Sequence, residues 1–517
     1  MSLRLRIPQV SNEVDPGLET RKVFMEEWAE GLPFADPLRV YRALFDRVGA
    51  INRAPLRANV RADLLEVAVG PYTRMLDRQG GLSPQQSAAA FERYRDEADA
   101  ARQVAQQMAL GYKLLLAETA ERRTIFGGLK LARLATQRAL HFLTYVLLQS
   151  YHQYLPALPD IWPELHELFA FADEHGFTDA RVGTDAARPE LRDGAGLTYG
   201  RIALLSAVDP LHLGYGQVWR VFTHLGQFED EIQLSPPSGA VPANALVLDP
   251  EHDGPPRHAA EYSNGLPAEA YVIDTRQISA AIRASADFVS DVSLPIVVKA
   301  LEDPPRRADE RMASSGDIRL AVGLSTVHHF SGGESEQSSA ARPPPSGEED
   351  AIDIEDVDPE DTIPLRSLYG TDTWQLKNSS QRGVCLTRTV RPLAIPLVGE
   401  LVGLQAGEAG VQWAVGLVRW LAVNQHGEHS VGIELLSSNS RPVRLRYSDA
   451  VGNLQQRAAL VLASSDTSKV SLIVPRGTFR SELEAEAAFG EQAVPLRLGR
   501  MVELTPGVEH VEGAAMS

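Results

Sequence analysis

The 517-residue chain carries a formal net charge of −18 at pH 7 and one cysteine, Cys385. An internal disulfide and a multi-cysteine zinc site are therefore excluded, and nucleic acid is disfavoured as the main partner because phosphate binding needs a basic face. The apolar runs are shorter than the roughly 18–20 residues that cross a bilayer, and the first residues lack the apolar core of a secretory signal, so we expect a cytoplasmic protein without a membrane span.

Residues 1–233 are predicted to form an all-helical domain. The clearest helix begins at Ser83, an N-cap residue followed by proline and by Gln86 at the capping-box position. Apolar or small residues then recur at steps of three and four, which is the spacing of one buried helix face. Residues 139–148 are apolar nearly all round and predict a central helix. Further helices are expected at 162–175 and 200–228.

The helical pattern ends at a Ser-Pro-Pro-Ser-Gly run, residues 235–239, and this run indicates a linker. Residues 245–248 and 271–273 are typical of strands, and residues 275–288 of a helix. The segment 234–303 is therefore either a small α/β subdomain or a part that packs onto the helical domain.

Residues 304–445 are predicted to form an antiparallel β-barrel. A β-compatible run covers 318–329, and more strand-like runs bounded by turn residues lie at 374–376, 384–389, 396–404, 412–423 and 430–435. Residues 331–365 interrupt this pattern and are rich in serine, proline and acidic residues. Such a segment buries too little apolar surface to offset its ordering entropy, so we predict a disordered acidic insertion.

Residues 446–517 are predicted to form a β-rich C-terminal extension. Its strand-like runs either extend the same barrel or form a second small module. The fold expected for the whole chain is a multidomain α+β architecture, with an N-terminal all-helical domain and a C-terminal antiparallel β-barrel that carries the acidic insertion.

An arginine motif lies where the chain enters the predicted barrel. Arg307 and Arg311 form an RxxxR pattern, and Arg306 directly precedes it. Guanidinium groups pair bidentately with phosphate oxygens and stack on purine rings. Because arginine is common in this chain, a solvated basic stretch is the alternative interpretation.

A second motif follows a predicted strand. Asn378, Ser380 and Gly383 match the pattern [D/N]xSxxG. The amide offers a hydrogen-bond donor and an acceptor, the hydroxyl offers both roles, and glycine permits a close backbone approach. These three residue types also favour turns for local reasons, so a plain β-turn is the alternative interpretation.

In this order the two motifs resemble those of the PilZ domain family. Residues 416–420, Gly-Leu-Val-Arg-Trp, resemble the family's late VRW strand, and residues 431–435, Val-Gly-Ile-Glu-Leu, resemble its closing VGVEF strand. The resemblance covers residues 304–438. The motifs lie further apart than in the family, and the acidic insertion accounts for the difference, since long loops add little closure entropy.

The resemblance implies a receptor for the bacterial second messenger cyclic di-GMP, which offers two phosphates and two guanines. It implies that arginines of the first motif grip phosphate and guanine, while the second motif holds the other guanine face. The implied ligand-binding residues are Arg306, Arg307, Arg311, Asn378, Ser380 and Gly383.

Catalytic motifs such as HExxH, a P-loop or a nucleophile elbow are absent from the sequence, so we expect neither an enzyme nor a cofactor. The loop 249–258 contains aspartate and histidine residues that could bind a metal, but its prolines favour a polar surface loop, and no metal site is expected. We therefore expect a cyclic di-GMP receptor or adaptor that signals to a protein partner through its helical domain. The alternative is an interaction scaffold whose PilZ-like barrel no longer binds the ligand.

Overall fold

The computed structural model describes residues 5–7, 17–80, 88–121, 128–182, 189–288, 290–291, 293–303, 311–332, 369–406, 412–449, 451–463, 469–490 and 492–516. The chain divides into two compact units, Met1–Arg306 and Arg307–Ser517. The predicted helix cap at Ser83 and residues 333–365 of the predicted insertion lie outside the described residues.

Helices dominate the first unit, which confirms the predicted N-terminal helical region. Its described helices are α1 (Lys22–Glu30), α2 (Pro37–Arg53), α3 (Ala58–Gly80), α4 (Ala88–Glu121), α5 (Gly128–His152), α6 (Ile161–Glu174), α7 (Ala195–Ala207), α8 (Gln217–Leu225), α9 (Thr275–Ala284) and α10 (Leu294–Glu302). Every residue from Ala135 to His152 in α5 is buried, so the prediction of a central helix is confirmed. Within the described residues, no helix combines the length and the apolar character needed to cross a membrane.

The single helix predicted at 200–228 is wrong, because the chain forms two helices there. Helix α7 ends at Ala207, and Asp209 adopts a left-handed conformation with φ +55° just before Pro210. Proline cannot donate the backbone hydrogen bond that a continuing helix needs. Gly216, with φ +81°, then precedes α8.

A small antiparallel sheet follows the helices, with strand order β2–β1–β3. Its strands are β1 (Leu246–Leu248), β2 (Arg257–His258) and β3 (Tyr271–Ile273). Leu246, Leu248 and Ile273 are fully buried and belong to the same hydrophobic core as the helices. Of the two alternatives for residues 234–303, the structure therefore shows the segment packed onto the helical part.

The second unit begins with an antiparallel barrel, as predicted. Its strands are β4 (Met312–Ala313), β5 (Asp317–Val322), β6 (Thr371–Ser379), β7 (Gly383–Arg388), β8 (Leu401–Ala406), β9 (Ala414–Val423) and β10 (His429–Ser437). The ring runs β6–β5–β8–β9–β10–β7 and closes because β7 also pairs with β6. Strand β4 pairs with the end of β6, on the same edge of β6 as β5.

The strand predicted at 318–329 is wrong in its second half. Strand β5 ends at Val322, and after Gly323, with φ +89°, the chain forms helix α11 (Leu324–Phe330). A positive φ is accessible to glycine without a Cβ penalty, so this residue allows the sharp change of direction. His328 is buried in this helix, and its Nε2 lies 3.1 Å from the carbonyl oxygen of Val443.

The C-terminal strands form a second closed barrel, with order β11–β12–β13–β16–β15–β14. They are β11 (Ser440–Ser448), β12 (Leu454–Leu462), β13 (Val470–Pro475), β14 (Leu483–Phe489), β15 (Gln492–Leu504) and β16 (Val508–Ala515). The extension is thus a second module rather than a continuation of the first barrel. The boundary expected between residues 445 and 446 falls inside β11, so the module begins at Ser440.

The two barrels of the second unit share a hydrophobic cluster. The first barrel and α11 contribute Ala321, Val327, Leu401, Trp413, Val415 and Leu417, and the second barrel contributes Leu460, Leu462, Ile473 and Val508. The Thr505 hydroxyl also donates to the carbonyl oxygen of Gly399 at 2.7 Å. These contacts join the barrels into one packed body.

Candidate functional site

Strand β4 connects the end of the arginine motif to the second motif. Met312 pairs with Ser379, and Ala313 pairs with Asn378, in antiparallel register. Arg311 directly precedes this strand and is exposed to solvent. The structure therefore brings Arg311 to the end of the strand that carries the second motif, although the two stretches are far apart in sequence.

Side-chain alternation places Arg311 on the same face as two residues of the second motif. Successive side chains of a strand point to opposite faces, and directly paired residues share a face. Continuing the register of β4 and β6 by one step sets Arg311 opposite Ser380, beside the pair formed by Ala313 and Asn378. By this register a guanidinium, an amide and a hydroxyl share one face at the end of the barrel.

Ser380 begins the turn between β6 and β7. Its backbone N–H donates to the carbonyl oxygen of Gly383 at 2.8 Å, and its hydroxyl lies 3.4 Å from the same oxygen. The half-buried Asn378 side chain forms no hydrogen bond with the part of the chain that the structure describes. The turn is therefore held by its own backbone, while the amide is available to a ligand.

Gly383 marks a close approach between β7 and β10. It pairs with Glu434, and a Cβ at position 383 would stand 2.9 Å from the carbonyl oxygen of Ile433. The N–H of Leu435 donates to the carbonyl oxygen of Arg382 at 2.9 Å. Glycine at this position thus lets the turn lie tightly against the neighbouring strand.

Two positive charges, those of Lys377 and Arg311, lie near Cys385 at this end of the barrel. Cys385, which pairs with Asn378, is buried, and burial raises the pKa of its thiol. The positive charges of Lys377 and Arg311 act on the same thiol in the opposite direction. Both side chains are exposed. On the face shared with Asn378 and Ser380, Arg311 supplies the positive charge that an anionic ligand would meet.

Arg306 and Arg307 lie outside the described residues. The structure places four of the six predicted ligand-binding residues and brings those four together. They are Arg311, Asn378, Ser380 and Gly383.

The two further PilZ-like stretches pair with each other across β9 and β10. Trp420 lies opposite Gly432. Arg419 donates from Nε to Glu434 Oε2 at 2.6 Å and from Nη2 to Glu503 Oε2 at 2.9 Å. Sequence reasoning missed Glu503, because this residue of the second barrel belongs to no short motif.

In the loop 249–258, which the sequence suggested as a possible metal site, Asp249 and His258 form hydrogen bonds within the protein. His258 Nδ1 lies 3.1 Å from the carbonyl oxygen of Asn244, and the Tyr262 hydroxyl donates to Asp249 at 3.5 Å. Throughout the described ranges, no three carboxylate, imidazole or thiol groups converge as metal ligands would.

Two family models match this chain. The model described as the N-terminal domain of the cyclic-di-GMP receptor FimW matches residues 23–238, and the one described as its middle PilZ domain matches residues 245–361 and 360–442. The second match confirms the resemblance seen in the sequence and begins earlier than residue 304, so it includes the small sheet of the first unit.

A curated relative matches nearly the whole chain. The cyclic-di-GMP receptor FimW of Pseudomonas aeruginosa is 25% identical over 546 residues, which cover 92% of this chain and 88% of the relative. Solved structures give no match.

Proposed function

This chain belongs to the PilZ domain family, and from that premise we propose that it is a receptor for cyclic di-GMP rather than an enzyme. The observation that carries the proposal is the pairing of β4 with β6, by which Arg311 shares a face with Asn378 and Ser380. The name of the Pseudomonas aeruginosa relative, a cyclic-di-GMP receptor, supports the same ligand.

The chemistry of the shared face suits this dinucleotide. A guanidinium can bind a phosphate through two parallel hydrogen bonds or stack on a purine, which assigns Arg311 to the phosphate and the adjoining guanine. Asn378 can satisfy a donor and an acceptor on a guanine edge, and Ser380 adds a hydroxyl. Gly383 keeps the turn close to β10. Arg306 and Arg307 belong to the same segment as Arg311, residues 306–313, which we call the arginine arm. They are proposed to complete the grip on the ligand.

The first unit is proposed to transmit the signal to a protein partner in the cytoplasm. Its match to the N-terminal domain of a receptor family supports a role in the same process. Ligand binding would hold the arginine motif against the barrel. A ligand shifts the populations of two states only if its affinity for them differs.

Calorimetric titration of the full chain with cyclic di-GMP tests the proposal. Wild type should bind, and Arg311→Ala should bind roughly 10- to 100-fold more weakly, because a charge-assisted hydrogen bond is lost. Arg441→Ala removes an equally exposed arginine on β11 and should bind like wild type. Cyclic di-AMP, which lacks the guanine edges, should bind poorly.

The alternative is a scaffold with a PilZ barrel that binds no nucleotide. A wild-type chain that gives no heat with cyclic di-GMP, while remaining folded, would establish that alternative. Equal affinity of Arg311→Ala and wild type would instead show that the ligand binds elsewhere.

A further inference from the structure

We infer that Ser314 is a positioning residue for the arginine arm. The hydroxyl groups of Ser314 and Ser379 form a contact, here called the latch, that fixes Arg311 opposite Ser380. The inference rests on the proposed function, because it assigns to the latch the placement of a ligand-binding arginine. The latch itself is a contact between two hydroxyl groups whose oxygens lie 2.8 Å apart.

The arm has little else to hold its register. Strand β4 contains two residues, and Met312 is 68% exposed. Beyond it, the N–H of Ser314 donates to the carbonyl oxygen of Lys377 at 3.3 Å, which is a long hydrogen bond. So short a pairing frays readily, since isolated short strands are marginal in water.

The register of β5 does not carry over to β4. Asp317 pairs with Gln375, whereas Ala313 pairs with Asn378, so β4 and β5 contain one more residue than the stretch of β6 they face. Gly316, with φ +146°, lies in this bulge. A bulge uncouples the pairing on its two sides, so the register of β4 must be fixed separately.

The consequence of a slip would fall directly on the ligand face. Moving a strand by one residue turns every side chain to the opposite face. Arg311 would then point away from Asn378 and Ser380. Ser379 lies on the face opposite these two residues, so its hydroxyl is free to hold the arm without meeting the ligand.

The test uses Ser314→Ala, Ser379→Ala and the double variant in the full chain. We measure cyclic di-GMP affinity by calorimetry and amide hydrogen exchange of residues 312–314 without ligand. Each single variant should bind about three- to tenfold more weakly, the range that loss of one neutral hydrogen bond gives. The Ser314 hydroxyl also donates to the carbonyl oxygen of Met312 at 3.3 Å, a contact that Ser379→Ala leaves in place. The double variant should therefore lose no more than Ser314→Ala alone, because Ser379→Ala removes only a contact that Ser314→Ala has already removed.

Two serine controls separate the latch from general effects. Ser315→Ala changes the neighbouring exposed serine and should leave affinity and exchange unchanged. Ser314→Thr keeps the hydroxyl and should restore both. Faster exchange in Ser314→Ala without any loss of affinity would overturn the positioning role.

The proposal and the receptor function can fail separately. If wild type does not bind cyclic di-GMP, the receptor function is wrong, and unchanged exchange in Ser314→Ala would then reject the latch as well. If wild type binds and the serine variants match it in affinity and exchange, the latch alone is wrong.

Discussion

Gly432 lies directly beneath the indole ring of Trp420, and a Cβ built at position 432 would stand 1.9 Å from Trp420 Nε1. The two residues face each other across β9 and β10, beside a bulge between Gly432 and Ile433. The PilZ-like stretches at 416–420 and 431–435 are therefore two halves of one packing arrangement.

Gly432→Ala should destabilise the second unit by about 2 kcal/mol, because the new methyl group must displace a tryptophan ring. Thermal unfolding followed by tryptophan fluorescence measures this loss. The matched control is Gly499→Ala in β15, where the nearest atom to a new Cβ lies at 3.9 Å, an ordinary contact. An unchanged melting temperature in Gly432→Ala would contradict the packing described here.

Gly383→Ala should weaken cyclic di-GMP binding at least about tenfold. The new Cβ would meet the backbone oxygen of Ile433 at 2.9 Å, and a backbone atom cannot rotate away. The turn that bears Ser380 must shift instead. Titration of the variant beside Gly499→Ala checks this, and full affinity in Gly383→Ala would show that the turn does not contact the ligand.

Arg419 and Glu503 should show a coupling free energy of about 1 kcal/mol in a double-mutant cycle with Arg419→Met and Glu503→Gln. Both side chains are about one-third exposed, and Arg419 also binds Glu434, so the pair is better held than a fully exposed one. Urea unfolding of the four proteins gives the coupling.

The control cycle uses Arg497 and Glu484, whose atoms lie 3.1 Å apart on a more exposed part of the second barrel. Solvent screens such pairs, so their coupling should be close to zero. Equal coupling in both cycles would mean that Arg419 does not connect the barrels more firmly than an ordinary surface pair.

The contribution of Glu400 to the stability of the second unit should fall as pH rises from about 5 to about 8. Burial raises the pKa of Glu400 from 4.5 to about 7, although the N–H of Leu397 donates to its carboxylate. Between these two values the folded state binds the proton and the unfolded state does not, so each increase in pH favours unfolding. The loss is at most about 3 kcal/mol.

Glu400→Gln should remove that part of the pH dependence, because the amide keeps an acceptor for Leu397 and carries no charge. Melting curves of both proteins at pH 5 and pH 8 measure the effect. A mutant whose stability falls as steeply as that of wild type would show that another group is responsible.

The candidate site could be proposed from the sequence because its residues lie in two short motifs that resemble a known pattern. The order of the strands in the barrel was not predicted, and it is this order that pairs Ala313 with Asn378. The helix after Gly323 was missed because residues 324–330 are compatible with either periodicity, and contacts such as that of His328 with Val443 decide between them.

Side-chain contacts between residues far apart in the sequence could not be predicted, because no local sequence pattern indicates them. Arg419 and Glu503 are 84 residues apart, and nothing around either residue indicates the other. The hydroxyl pair of Ser314 and Ser379 was missed for the same reason, since serine is common at turns whether or not it holds another strand. Only the folded register brings such residues together.

The cluster shared by the two barrels determines where this protein can be cut. A fragment that stops at residue 442, where the middle-domain match ends, would lose Leu460, Leu462, Ile473 and Val508. The aliphatic side chains of Val415 and Leu417 would then face water, and the fragment should precipitate or self-associate. The C-terminal barrel is thus not a detachable appendage, and recombinant versions of the first barrel need to extend through β16.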